Sequence, residues 1–320
     1  MSTAGAARPG ARATPSAVPE VSVVIPTFNR ADRLCEAVDS VLGQTFRTLE
    51  CVIVDDGSTD GTPEVIEARY GADGRVRHVV QENAGPAAAR NRGVTLARGA
   101  FIAFLDSDDL WDPEKLAIQM DLMRRERQAA LCFCDRRIAG EPESSRFVAT
   151  GFSGDLSMAG LLRDNLPICT PSVVVRKEAL TQAGGFDPSF TCAEDWDLWI
   201  RIRARHPFTY VDRPLVTVRP GEDSFGRARP LEKWRSWLQL WTRHESLLLD
   251  HGCPGSLVRG KKAHAHKKVA QTLHRMGRYA EARHHYLQWW RCGRWRVRAI
   301  FWWAVLLLPW KRDGRTAPAG

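Results

Sequence analysis

Three aspartates fall within four positions of FIAFLDSDDLW (Phe101 to Trp111), directly after an apolar run. Asp106 and Asp108 lie two apart, so an extended turn lets both carboxylates face one way and offer the hard oxygen ligands that Mg2+ or Mn2+ takes. Without a cation, neighbouring carboxylates repel and raise one another's pKa. Such a turn suits an ion that bridges the protein and a diphosphate. A second acidic stretch, AEDWDLWIRI, puts Glu194 and Asp195 at the start of a segment whose Leu198, Trp199 and Ile202 share one helical face. A carboxylate there can take the proton of an attacking hydroxyl. It can equally cap the helix, with Asp197 solvated.

The elements that must position these acids follow from periodicity. VSVVIP (Val21 to Pro26) and LECVIVDD (Leu49 to Asp56) are short β-branched apolar runs, and RADRLCEAVDSVLGQ between them has helical spacing. A helix near Pro63 to Tyr70, VRHVVQ as a strand, PAAARNRGVTLAR as a helix and AFIAFLD as a strand continue the alternation. The expected fold is α/β, with a mostly parallel central sheet flanked by helices and ligands at the carboxyl ends of its strands. TFNR, DDGSTDG and DSDD all follow strands. One such cluster is ordinary turn chemistry; three at one rim favour a site. No GxGxxG or GxxxxGK[ST] stretch occurs, so a phosphorylated ligand needs another source of positive charge.

Bulk properties narrow the classes. The 320 residues are 44% hydrophobic and 26% charged, as in a globular protein with one large core or a main domain plus an appendage. The net charge is +9, but from Gly255 onward 15 Lys/Arg stand against Glu281 and Asp313, so that tail carries +13 and the remainder −4. Eight cysteines without a CxxC pair signal neither a zinc framework nor a disulfide scaffold, and reduced cytoplasmic thiols are expected. Residues 1–19 read as a disordered lead-in without the apolar core of a secretory signal.

VSVVIPTFNR, VDDGSTDGT, NAGPAAARNRG, FLDSDD, GGFDPSF and AEDWDLWIR, in this order, resemble the family 2 glycosyltransferases of GT-A fold, over Val21 to about Val218. The resemblance implies inverting transfer of a sugar from a nucleotide diphosphate donor, usually UDP-linked, with Mn2+ or Mg2+ as cofactor. By position, it implies that Pro26 and Phe28 line the base pocket, that Asn29 belongs to the nucleotide-sugar site, and that Asp56 hydrogen-bonds the base. Arg90 would face the phosphates, Asp106 with Asp108 would form the metal motif, and Asp195 would be the catalytic base with Glu194 beside it. Many relatives carry a histidine after the VTVR strand that assists the metal; here Arg219, Pro220 and Gly221 continue into EDSFGRARP, a mobile lid or a plain linker. Asn165, Cys169 and Thr170 are candidates to face the acceptor.

The chain divides into a lead-in (1–19), a catalytic domain (20–230) and a basic helical extension (231–320). KKAHAHKKVAQTLHRMGRYAEARHHYLQWW reads as two helices joined at Met276 to Arg278, similar to part of a tetratricopeptide repeat, with solvated histidines. Ala299 to Trp310 is a 12-residue apolar run with Arg or Lys on both sides. It is shorter than the roughly 20 residues that span a bilayer and suits an amphipathic anchor on an anionic leaflet. The alternative is a helix packed on the protein's own core. LLLPW lacks phosphate donors, which argues against nucleic acid.

These features lead to an expected glycosyltransferase at the inner face of the cytoplasmic membrane. Its acceptor would be a lipid-linked saccharide in cell-envelope or exopolysaccharide biosynthesis; transfer to a protein or small metabolite is the alternative. Two other classes compete. A haloacid-dehalogenase-like phosphatase also ends a strand in DxD, but leaves VDDGSTDG without a role. A non-catalytic nucleotide-sugar-binding module would have no need of Asp195.

Overall fold

A computed structural model describes residues 18–140, 154–163, 168–219 and 229–292. The lead-in through residue 17, Asn165, the segment 220–228 and the run Ala299 to Trp310 lie outside the described residues. Two compact units interleave along the chain, in place of a single division at residue 230.

The first unit comprises Met1–Val148, Ile168–Phe186 and Phe208–Arg219. It holds β1 (Val21–Thr27), α1 (Ala31–Leu42), β2 (Leu49–Asp55), α2 (Thr62–Tyr70), β3 (Val76–Val80), α3 (Pro86–Leu96) and β4 (Phe101–Phe104). β5 (Leu110–Trp111), α4 (Lys115–Arg125) and β6 (Leu131–Ile138) come next. The second unit, Ala149–Pro167, Asp187–Pro207 and Pro220–Gly320, begins with α5 (Met158–Arg163). The chain then returns to the first unit for β7 (Val174–Arg176) and α6 (Lys177–Gln182). It crosses once more to the second for α7 (Glu194–Arg203), and back for β8 (Phe208–Val218). The remaining described helices belong to the second unit: α8 (Pro230–Arg243), α9 (Glu245–Asp250), α10 (Gly255–Arg275) and α11 (Tyr279–Cys292).

The strands form one sheet in the order β3-β2-β1-β4-β7-β6-β8-β5. β3, β2, β1 and β4 are mutually parallel, as the alternation requires. Beyond β4 the sheet is mixed: β7 runs antiparallel to both neighbours, β6 and β8 are parallel, and β5 is antiparallel to β8. Every residue of β1 and β2 is buried, which accounts for their unbroken apolar runs. α1 turns Leu34, Cys35, Ala37, Val38 and Val41 inward, the 3.6-residue stripe read from its sequence. Pro26 is tolerated inside β1 because the β4 ladder ends at Val24 paired with Phe104. Gly93 lets α3 lie close on β1, since a β-carbon there would come 2.3 Å from Val24 Cγ1.

In the second unit, Phe190, Ala193 and Ile200 pack with Leu240, Trp241 and Leu248. The segment carrying Asp195 therefore shares its core with the extension. α10 and α11 meet at Met276 to Arg278, as the sequence indicates. The histidines depart from expectation: His264 is exposed, but His266 Nδ1 lies 2.9 Å from Nδ1 of His285. Burial, followed by the charge of its partner and of His284 and Lys262, pushes His266 down to about 4. Burial and then His284 and Arg235 push His285 to about 4, against an opposing pull from Glu281. Both values lie below the unfolded value of about 6.5, so folding favours the neutral rings. This stability is complete above pH 6.5 and drains away as pH falls toward 4. The melting temperature followed by helical circular dichroism is expected to fall between pH 7 and pH 5, and less steeply in a His266→Gln/His285→Gln variant.

Candidate donor site and base

The carboxyl ends of β1, β2 and β4 are stitched together by the polar residues that follow them. Asn29, in left-handed conformation at φ 51°, receives Thr59 N–H on Oδ1 at 2.8 Å and donates its own N–H to Ser58 Oγ at 2.9 Å. Asparagine tolerates this conformation better than most residues. Asp56 is buried; its Oδ1 accepts from Gln81 Nε2 (2.7 Å) and Ala84 N (2.9 Å), and its Oδ2 from Gly85 N (2.8 Å). Asp56 thereby fixes the turn into α3, where Gly85 has φ 86° and Pro86 opens the helix. α3 in turn aims Arg90, buried above the Phe186 ring at 5.5 Å, so that Nη2 donates to Asp106 Oδ1 at 2.8 Å.

Pro26 is buried within β1, whereas Phe28 just beyond it is 47% exposed, an aromatic face available at this rim. Two buried polar atoms at the same strand ends, Thr27 Oγ1 and Asp55 Oδ2, have no hydrogen-bond partner among the described residues; His78 Nε2 lies 4.0 Å from the latter.

The DSDD turn carries the crowding its sequence implies. Burial, then the charge of Asp106, raises the Asp108 carboxyl above its ordinary range, against the pull of Arg30 and Arg33. Asp109 is raised further by the same two causes. Asp109 neither starts the following helix nor faces solvent: α4 begins at Lys115, with Asp112 receiving the Glu114 N–H, and Asp109 Oδ1 accepts the Arg219 N–H at 3.0 Å. Arg219 Nε also donates to the Asp108 carbonyl, and Nη1 to Glu36 Oε2 at 2.7 Å. Arg219 thus braces the turn. A guanidinium has no lone pair and cannot be a metal ligand.

Hard oxygens carrying surplus negative charge are what a divalent cation needs. No cluster of three or more His, Cys, Asp or Glu side chains suited to a metal occurs among the described residues. Asp106 and Asp108 supply carboxylate oxygens of the kind that Mg2+ and Mn2+ take.

In the second unit, Glu194 and Asp195 open α7, and both are partly exposed. Asp195 Oδ1 accepts the Trp196 N–H at 2.7 Å. Their charges, after burial, push the Cys192 thiol up to about 11. Ala193, immediately before them, has φ 65°, a left-handed conformation that costs a non-glycine residue about 1–2 kcal/mol. Leu198, Trp199 and Ile202 are buried as their spacing predicts. Asp197 reverses the solvated expectation: it is fully buried, because Arg201 one turn on and His244 in the extension both bond it. No sequence signal in EDWD distinguishes it from its neighbours. Of the acceptor candidates, Cys169 is half-buried and Thr170 is buried in a short 3-10 turn.

The sequence model described as Glycosyl transferase family 2 matches residues 22–182, half of the chain. GGFDPSF and AEDWDLWIR lie beyond it. Chondroitin synthase of Escherichia coli is 30% identical over 201 residues, 63% of this chain and 29% of that protein. The chain spans about a third of the length of two uncharacterized glycosyltransferases of Rickettsia that it matches at 36% and 35% identity. Among solved structures, Staphylococcus aureus TarS in complex with UDP-GlcNAc has a TM-score of 0.60 at 19% identity, over 90% of this chain and 79% of that one. Mannosyltransferase PcManGT from Pyrobaculum calidifontis, in complex with GDP-Man and Mn2+, has a TM-score of 0.59 at 20% identity, over 90% and 80%. With the strand-end acids and Arg90 falling inside the matched half, the chain belongs to glycosyl transferase family 2 and has the GT-A fold.

Proposed function

We propose that the protein transfers a sugar, with inversion, from a nucleotide diphosphate donor, UDP-linked, to a hydroxyl of a lipid-linked saccharide. The observation that carries this reading is the DSDD turn: surplus carboxylates, held by Arg90 and Arg219, at the end of a buried strand. A divalent cation held by Asp106 and Asp108 would supply charge neutralisation for the departing diphosphate. Phe28 offers a stacking face for the base, and Asp56 Oδ2 keeps a lone pair for a base N–H after receiving Gly85. Arg90 holds Asp106 in orientation. Asp195 takes the acceptor proton while the acceptor oxygen bonds to the anomeric carbon and the bond from that carbon to the diphosphate oxygen breaks. The products are the glycosylated acceptor, the nucleoside diphosphate and the proton on Asp195.

The likeness to chondroitin synthase supports a polysaccharide-building role, and the complexes of TarS and PcManGT support a nucleotide-sugar donor with a metal such as Mn2+. An anionic membrane at the cytoplasmic face is the working surface in this reading. The hairpin of α10 and α11 carries nine Lys/Arg against Glu281, and its tip exposes Met276 and Tyr279 beside Arg275 and Arg278. No described helix is long and apolar enough to cross a membrane.

The test incubates the full chain with UDP- and GDP-linked sugars, a lipid-linked saccharide and Mn2+ or Mg2+, and measures nucleoside diphosphate release. Release with one UDP-sugar, stopped by chelator and accompanied by product, is expected. Absence of turnover with every donor, or turnover indifferent to chelator, overturns the reading. In the same preparation, flotation with anionic but not zwitterionic vesicles is expected; flotation with neither removes the membrane part alone.

A further inference from the structure

The buried acid two residues after Asp195 ties α7 to the extension. Asp197 Oδ2 accepts both Nε (3.0 Å) and Nη2 (2.5 Å) of Arg201. Its Oδ1 lies 2.8 Å from His244 Nε2 and 3.5 Å from Arg243 Nη1. A carboxylate with a cation on its other oxygen accepts only, so His244 Nε2 is the donor. His244 is itself buried at the junction of α8 and α9, held by Leu240 O and Leu248 N. Burial alone would raise the Asp197 carboxyl, but the His244 bond and the Arg201 charge bring it below the ordinary range.

Further ties reach the segment that leads into α7. Arg243 Nη1 pairs with Asp187 at 2.5 Å and its guanidinium lies 5.1 Å from the centre of the Phe190 ring. Thr191 Oγ1 and Ser236 Oγ are 2.9 Å apart. Asp195 and Asp197 lie two positions apart on a helix, about 200° around its axis, so a pin on one sets the direction of the other. The left-handed turn at Ala193 is a strained start to that helix, of the kind the surrounding structure must enforce.

We propose that His244, assisted by Arg243, is a positioning residue for Asp195: through the Asp197 carboxylate the helical extension fixes the rotation of α7 and hence the aim of the base. This rests on the reading of Asp195 as the base. It assigns the extension a part in catalysis separate from any surface it presents to lipid. Misplacing a reacting group by about 1 Å costs about 100-fold in rate, whereas donor binding belongs to residues of the other unit.

The test compares three variants of the full chain by steady-state transfer, below each variant's own melting temperature. His244→Leu removes the donor and is expected to lower kcat about 10- to 100-fold at unchanged donor KM. His244→Gln offers an Nε2 donor in nearly the same place and is expected to stay within about threefold of the parent. Leu273→Ala opens a cavity in the core of the α10–α11 hairpin, a cluster that contains no residue of α7, and is expected to lower the melting temperature while leaving kcat near the parent's. Equal kcat losses in His244→Leu and Leu273→Ala, or none in His244→Leu, overturn the assignment. If His244→Leu does not fold, Arg243→Gln, at an exposed position, takes its place: a lower kcat at unchanged KM supports the assignment and a parental kcat overturns it. Asp195→Asn is measured alongside. If it transfers at the parental rate, the base reading falls and this inference with it; if it is inactive while the His244 variants are normal, only the inference falls.

Discussion

Asp195→Asn is expected to lower transfer by about 10²- to 10⁴-fold, the range that general-base catalysis contributes, while nucleotide binding stays at the parental level. The substitution keeps the shape of the side chain and an oxygen to accept the Trp196 N–H, so the start of α7 has no reason to change. What disappears is basicity: an amide does not take a proton from a hydroxyl at neutral pH. Asp195 is partly exposed, so no buried charge is stranded and the melting temperature should hold. Glu194→Gln is the informative companion. If Glu194 is only a first-turn acid favourable to the helix N-terminus, its loss costs a few tenths of a kcal/mol in stability and little rate. Product formation and nucleoside diphosphate release should be followed together, because parental transfer by Asp195→Asn would remove the assigned base outright.

How far the molecule can be read from its sequence depends on whether a feature is local. The β-α-β start, the burial of FIAFL and the join at Met276 to Arg278 are written in runs and periods of a few residues, and all are present. The acidic strand end is local too: the burial of the strand end, and then the charge of Asp106 two residues away, raise the Asp108 carboxyl. What escapes is whatever depends on a distant partner. From the sequence alone Asp109 either supports the acidic turn or begins the DPEKL helix, and only the bond from Arg219, 110 residues later, ties it to the turn. Asp197 reads as solvated until His244 arrives from 47 residues away. The interleaving of the two units is invisible for the same reason: α7 is contiguous with the strands on either side but shares a core with α8 and α9. His266 and His285 face one another only because two helices pack in a particular register.

The distinction between local and distant causes also sorts the arginines. Arg90 is legible as a site residue because it sits in a motif that precedes the acidic turn. Arg219, the last residue of VTVR, is not legible, because its partners are distant in the chain: its N–H, Nε and Nη1 bond Asp109, the Asp108 carbonyl and Glu36. It therefore holds the turn in shape, and in the proposed reading the metal would be left to Asp106 and Asp108.

Asp108→Asn should accordingly do two opposite things. In the absence of nucleotide it is expected to raise the melting temperature, because the parental carboxyl is disfavoured by burial and by the charge of Asp106, and a neutral isostere removes that penalty. The sign follows from linkage: a carboxyl raised above its unfolded value opposes folding at every pH above that unfolded value. In the presence of UDP and Mn2+ the order should reverse. A ligand at 100 times its Kd stabilises the parent by about 2.7 kcal/mol; the variant, left with one carboxylate of the pair, should show little of this, and chelator should make parent and variant respond alike. Transfer should fall by roughly 10²- to 10³-fold, matching several kcal/mol of lost charge stabilisation on the leaving diphosphate. Thermal unfolding with and without UDP, Mn2+ and chelator checks all three. A variant that melts below the parent when empty, yet still gains stability from UDP and Mn2+, would show that Asp108 supports the fold and does not hold the ion. The opposite pair of shifts would show a charge cluster kept for its ligand at the expense of the empty protein.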